Sequence, residues 1–232
     1  MIKSIIIAWV LVLMTISWSY SQTNLKDIDG NIYKTIVIGN YEWMAENLKV
    51  THYNTGEKIK KIEDKEIWKG CKSGAYCWYN NIDSNKFYFG ALYNWYAVNT
   101  QNLCPDGWRV PSDEEWKNLE SFVDSIYKTS NPEWNGIMSR GSDVGLKLKA
   151  KIGWNSEGGG TDIYKFSALP YGERSSNTGN FHHQGNNGFW WSSTDVDTFN
   201  AWYRCLVFFD KKMIRNIHPK AMGFSVRCIK EK

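Results

Sequence analysis

Two cysteine-bearing segments, far apart, do most to limit what this chain can fold into. The first runs Cys104-Pro105-Asp106-Gly107-Trp108-Arg109-Val110-Pro111 and continues into Ser112-Asp113-Glu114-Glu115-Trp116. The second is Gly223-Phe224-Ser225-Val226-Arg227-Cys228, close to the end of the 232 residues. They bracket an aromatic-rich stretch, and each stands beside residues suited to a packed core. A bond between them would close a large loop and stabilise the fold by about 3–5 kcal/mol through the restricted unfolded chain.

The five cysteines are Cys71, Cys77, Cys104, Cys205 and Cys228. The count is odd, so at least one stays free or bonds elsewhere, and connectivity does not follow from sequence alone. The favoured set is Cys104–Cys228 and a local Cys71–Cys77 bridge, with Cys205 left as a buried thiol. A metal site is the rival reading, but no Cys-x-x-Cys or Cys/His pairing has ligand spacing, so none is expected.

An oxidising compartment follows from the start of the chain. Lys3 supplies a positive n-region, residues 5–16 are almost unbroken apolar, and Ser19-Tyr20-Ser21 offers small residues for cleavage. Residues 1–21 are read as a signal peptide and 22–232 as one domain. An uncleaved anchor, with Trp18 and Tyr20 at a membrane interface, is the alternative. No later segment reaches the length of a membrane span. The expected setting is secreted, periplasmic or on the surface of a bacterium.

Aromatic residues make up 16% of the chain, with 13 Trp, which is ample material for a core. Net charge is +4, one less without Lys3, and the two signs are interspersed. A nucleic-acid partner has little electrostatic support.

Local patterns give an order of elements. Asp29-Gly30 and Gly39-Asn40 mark turns around a β-hairpin, and residues 50–70 read as a polar excursion. Residues 90–99 place Leu92, Trp95, Tyr96 and Asn99 at helical spacing. The clearest helix starts at Ser112, with Glu115 completing a capping box and Trp116, Leu119, Val123 and Ile126 forming a stripe to about Tyr127. Asp113, Glu114 and Glu115 are therefore read as helix-start chemistry rather than catalytic carboxylates. Val144 and Leu148 suggest a short second helix to about Ala150. Strands follow at 189–193, 201–209 and 223–229, with a long loop over 173–188. The class is α+β: two main helices, a small antiparallel sheet and long irregular loops.

DGNIYKTIVIGNYEWMAENLKV, FGALYNWYAVN, LCPDGWRVPSDEEWKNL, FWWSS, AWYRCL and GFSVRC stand in this order. The set resembles the Fibrobacter succinogenes major paralogous domain, over nearly all of residues 27–230. That resemblance implies a C-type lectin-like fold, distantly similar to formylglycine-generating-enzyme-type domains. Such folds commonly tie a helix region to the last strand by a disulfide, in agreement with Cys104–Cys228. Lectin-like domains that bind sugar through calcium use Glu-Pro-Asn or Gln-Pro-Asp and Trp-Asn-Asp. Here Trp154-Asn155 is followed by Ser156, and Asn131-Pro132-Glu133 is a loose echo, so calcium-dependent binding is not implied.

No enzyme signature is found: there is no Gly-x-Ser-x-Gly elbow, and Gly158-Gly159-Gly160 lacks the Lys-Ser/Thr of a phosphate loop. No cofactor is expected. The sequence reads as a non-enzymatic recognition module for glycan or a surface protein. A structural or surface-assembly domain is the alternative, and a formylglycine-generating-type oxidase using the late Cys205 and Cys228 a third. Candidate ligand residues are Arg174, Asn177, Asn180, His182, His183, Gln184 and Asn186, with Trp190, Trp191 and Trp202 as stacking platforms. Trp190 and Trp191 are consecutive, so at most one is expected to point inward from a regular strand.

Overall fold

The computed structural model describes residues 24–232; the expected signal peptide lies outside them. The chain opens with β1 (Asn24–Lys26), β2 (Ile32–Ile38) and β3 (Tyr41–Met44), paired in antiparallel order. Ile38 lies opposite Tyr41 across Gly39-Asn40, the predicted two-residue turn.

The 50–70 excursion is anchored rather than free. Buried Ile59, Ile62 and Trp68 hold it down. It carries β4 (Lys60–Lys61) and α1 (Lys65–Gly70), whose first backbone N–H groups are met by the Asp64 carboxylate. β5 (Ala75–Cys77), α2 (Asn85–Phe89), β6 (Leu92–Tyr93) and α3 (Trp95–Val98) follow, with β4, β5 and β6 forming a three-stranded sheet. The expected 90–99 helix is thus cut to one turn. The Asn94 side chain explains the break: its Oδ1 accepts from the amides of both Ala75 and Ala97, capping α3 and fixing the preceding strand.

α4 (Asp113–Val123) is the long helix, with the Ser112–Glu115 capping box formed in both directions. It stops short of the expected Tyr127 because the Asp124 carboxylate bends the chain by accepting from the amides of Ile126 and Tyr127. After β7 (Met138–Arg140), α5 (Val144–Leu148) is a short helix. Among the described residues, the expectation of two main helices is therefore corrected to one α-helix of 11 residues and four of 4–6.

The remaining strands are β8 (Tyr171–Arg174), β9 (Phe181–Gln184), β10 (Asn187–Asp195), β11 (Asn200–Val207), β12 (Met213–Pro219) and β13 (Ile229–Glu231). All of these except β13 join β7 in a six-stranded sheet in the order β7-β12-β11-β10-β8-β9, larger than expected, with one parallel contact between β8 and β10. β13 pairs with β3, so the two ends of the described chain share a sheet. The class is mixed α+β, as expected.

β10 separates two cores. Trp191 packs with Trp95, Tyr93 and Phe224 on one side, and Trp190 with Trp43, Trp116 and Phe166 on the other. Both indoles are 0% exposed, which corrects the expectation that one would face solvent. Alternation holds, but this strand is covered on both faces. Each N–H is met: Trp190 donates to Asn47 Oδ1 at 2.9 Å and Trp191 to the Tyr93 carbonyl at 2.9 Å.

Cys104 and Cys228 are bonded, with sequence separation 124. The expected Cys71–Cys77 bridge is not formed: both thiols are free and buried. Cys71 follows α1 and directs its sulfur to the Ser73 carbonyl at 3.1 Å, whereas Cys77 sits in β5, held by pairing to β6 and facing Arg174. Cys205 is a buried free thiol, as expected.

A buried charge network ties α4 to the large sheet. Glu120 accepts from Arg204 and Arg140, and Asp113 accepts from Arg204 at 2.8 Å and from Arg215 at 2.7 Å. Burial alone would raise the Asp113 carboxyl, but the hydrogen bonds and charges of Arg215 and Arg204 outweigh it and hold it well below the usual range. Asp113 thus does more than favour a helix start.

Candidate binding cleft

An open cleft of about 850 Å³ lies outside the two cores. Its floor is built from Asn47 and Arg227, which are buried. Asn47 Oδ1 accepts from Arg227 Nε at 3.2 Å, while its amide donates to the Phe89 carbonyl and to Ser225 Oγ, each at 3.1 Å. The Arg227 guanidinium lies over the Phe166 ring at 4.1 Å and donates to the carbonyls of Phe166 and Ser167. Burial lowers its pKa to about 10. This cation is therefore committed to the scaffold.

The walls come from four segments. One is α2 with the glycine after it. Gly90 has φ +71, and a Cβ there would stand 2.8 Å from both Asn47 Cβ and the Leu48 carbonyl. Only glycine lets α2 end against the floor. The second wall is residues 45–49, the third 152–155, and the fourth 165–171 with Gln184-Gly185.

α2 has too few residues to bury every side of itself. Phe89 packs against Tyr171 with centroids 4.5 Å apart, which leaves Phe87 and Tyr88 76% and 71% exposed at the cleft. Ile152, on the third wall of the same cleft, is 81% exposed.

The lining charge is one-sided: Lys34, Lys49, Lys86, Lys165 and Arg227 against Glu46. Glu46 pairs with Lys49 at 3.5 Å. Among the described residues, the ammonium groups of Lys34, Lys86 and Lys165 have no ion-pair partner.

The residues singled out from sequence distribute unevenly. Gln184 lines the cleft, and Asn186 stands at its rim, accepting from Asn155 Nδ2 at 3.0 Å. The other candidate ligand residues of the 173–188 stretch do not line it. That stretch is not a loop but the β8–β9 hairpin with a tight turn into β10. Asn177 and Asn180 are exposed at the hairpin tip. Arg174 is corrected from ligand residue to scaffold: it is 0% exposed and donates to the carbonyls of Gly179, Ile62 and Glu63 while covering the Trp68 ring at 4.5 Å. Trp190 and Trp191 are excluded as platforms by their burial. Trp202 is half-buried, with the Arg215 guanidinium 3.4 Å from its ring centroid, so one face is taken.

His182 and His183 are exposed on β9. His182 lies opposite Glu173, and His183 Nδ1 is 3.4 Å from a Glu173 carboxylate oxygen. Burial raises the Glu173 pKa to about 7. Among the described residues, no three His, Cys, Asp or Glu side chains converge as metal ligands. Lys34, Lys86, Lys165, Phe87 and Tyr88 were not singled out from sequence. The run Lys86-Phe87-Tyr88-Phe89 carries the one local signal, since three successive rings on a short helix cannot all enter one core.

Fold and cleft together define a disulfide-tied α+β protein whose two ends share a sheet and which presents a cationic, aromatic-edged opening. More narrowly, the chain belongs to the Fibrobacter succinogenes major domain family, whose model matches residues 36–230. No curated protein and no solved structure matches the chain.

Proposed function

We propose that this chain is an exported, non-enzymatic recognition module that binds saccharide in the cleft, on a C-type lectin-like scaffold. One observation carries the reading: two solvent-exposed aromatic rings, Phe87 and Tyr88, border a cleft of about 850 Å³ that also presents the side-chain amides of Asn155 and Gln184. Apolar sugar faces stack on rings while hydroxyls take directional bonds from planar amides. The shared β3–β13 sheet and the Cys104–Cys228 tie support the lectin-like assignment, and the disulfide also supports export.

The chemistry of the late cysteines argues against the oxidase reading. Cys228 is spent in the disulfide, and burial pushes the Cys205 thiol well up, the opposite of what a nucleophile requires. A glycan array with the purified protein tests the proposal. Saccharide binding that disappears in a Phe87→Ala/Tyr88→Ala variant of unchanged thermal midpoint is the expected result. A blank array would refute it in favour of a structural or surface-assembly role.

A further inference from the structure

We infer that the cleft selects acidic saccharides, chains bearing carboxylate or sulfate groups, over neutral ones. This rests on reading the cleft as a saccharide site and adds the charge of its ligand. Arg227 is used by the Phe166 and Ser167 carbonyls, and Lys49 by Glu46 and the Tyr33 ring at 5.0 Å. Lys34, Lys86 and Lys165 remain. They come from β2, α2 and the segment before β8, so three unrelated parts of the chain place lysines without an ion-pair partner along one opening.

The chain as a whole is nearly balanced, with 28 basic and 24 acidic residues. The lining, with five basic side chains and one acidic, is not. A smaller cleft of about 260 Å³ beside Cys104 shows the contrast, since Asp27 and Asp106 line it against Lys26 alone, and its histidine, His52, is bonded to Asp29 at 2.6 Å. Positive charge is therefore concentrated at the larger opening, where it raises the local concentration of anions.

Two features favour a saccharide over an acidic peptide. An extended peptide that binds by strand addition needs an open strand edge. β8, the strand at this wall, is flanked on both sides by β9 and β10, and the amides of Ala45, Gly90, Asn155 and Gly185 are all donated internally. Rings and amide side chains are what the cleft offers instead. Lysine ammonium groups are flexible point charges, suited to anionic substituents spaced along a sugar chain rather than to one bidentate group.

The test is a glycan array holding neutral, uronate-bearing and sulfated saccharides, followed by calorimetric titration of the best ligands. The acidic members should lead. A Lys34→Ala/Lys86→Ala/Lys165→Ala variant should weaken their binding about tenfold or more, the combined effect of three exposed charge contacts. Salt should weaken it further in the parent protein but little in the variant. Preference for uronates alone assigns the site to carboxylate, for sulfated chains alone to sulfate, and for both to charge as such. Neutral ligands that bind as well as acidic ones, with the lysine variant unchanged and the Phe87→Ala/Tyr88→Ala variant inactive, would overturn the charge inference and leave the saccharide site standing. A blank array would overturn both.

Discussion

Removing the Cys104–Cys228 bond is the most informative perturbation of the fold. With sequence separation 124, loop-closure entropy predicts a loss of about 5 kcal/mol when both cysteines become alanine. The tie joins the segment before α4 to the residue that leads into β13, the strand that closes the terminal sheet, and both cysteines are buried, so little of the restriction is relaxed by local fraying. For a chain of this size about 1 kcal/mol moves the midpoint by roughly 2–4 °C, so a fall on the order of 10–20 °C is expected. Calorimetry and guanidinium melts of the parent and of Cys104→Ala/Cys228→Ala, each with and without reductant, provide the assay. Reductant should lower the parent to the level of the variant and leave the variant unmoved, because Cys71, Cys77 and Cys205 are already free thiols. A variant within about 1 kcal/mol of the parent, or one still sensitive to reductant, would refute the reasoning.

The buried network gives a second expectation. Glu120→Gln strips the charge facing Arg140 and Arg204 and should cost about 3–5 kcal/mol in a urea melt, because it leaves Arg140 buried without a counterion and Arg204 with Asp113 alone. Glu173 gives a pH signature. Its folded pKa, raised to about 7 from an ordinary 4.5, means the folded state holds its proton more tightly than the unfolded one. Stability contributed by this group is therefore present below about pH 4.5 and is lost as pH rises to about 7, by about 3 kcal/mol in all. Urea midpoints of Glu173→Gln should be flatter than the parent's across that window. Gly172 has φ +69, and a Cβ there would stand 2.2 Å from the His182 carbonyl. Gly172→Ala should cost on the order of 3 kcal/mol by forcing β8 and β9 apart, read as a lower thermal midpoint.

What could be read from sequence was local chemistry. The Ser112–Glu115 box formed as expected because cap, donor and acceptor lie within one turn. The turn at Gly39-Asn40 and the strand at 201–209 were equally self-contained. The failures share a different cause. Arg174 carries charge and stands among polar residues, yet it is buried because carbonyls of Ile62 and Glu63, more than a hundred positions away, receive its guanidinium. Trp190 and Trp191 follow strand alternation, but a strand with a core on each side has no solvent face to give. Cys71 and Cys77 are close in sequence while the capped end of α1 and the ladder of β5 aim their sulfurs at different neighbours.

The cleft was hidden for the same reason, and that has a consequence for how it could change. Its scaffold is deep: Asn47 and Arg227 are locked to Trp190, Ser225 and Phe166, so altering them disturbs both the floor and the core behind it. Its reading surface is shallow. Lys34, Phe87, Tyr88, Ile152 and Lys165 are exposed and carry little packing. Substitutions at such positions ordinarily stay within about 0.5 kcal/mol. Ring and charge pattern can then be rewritten while the disulfide, the terminal sheet and the buried ion pairs hold the opening in place. A fold arranged this way separates the residues that specify its shape from those that line its opening. The family match accordingly identifies the scaffold, and under the proposed function the choice of ligand would fall to the few exposed side chains around the cleft.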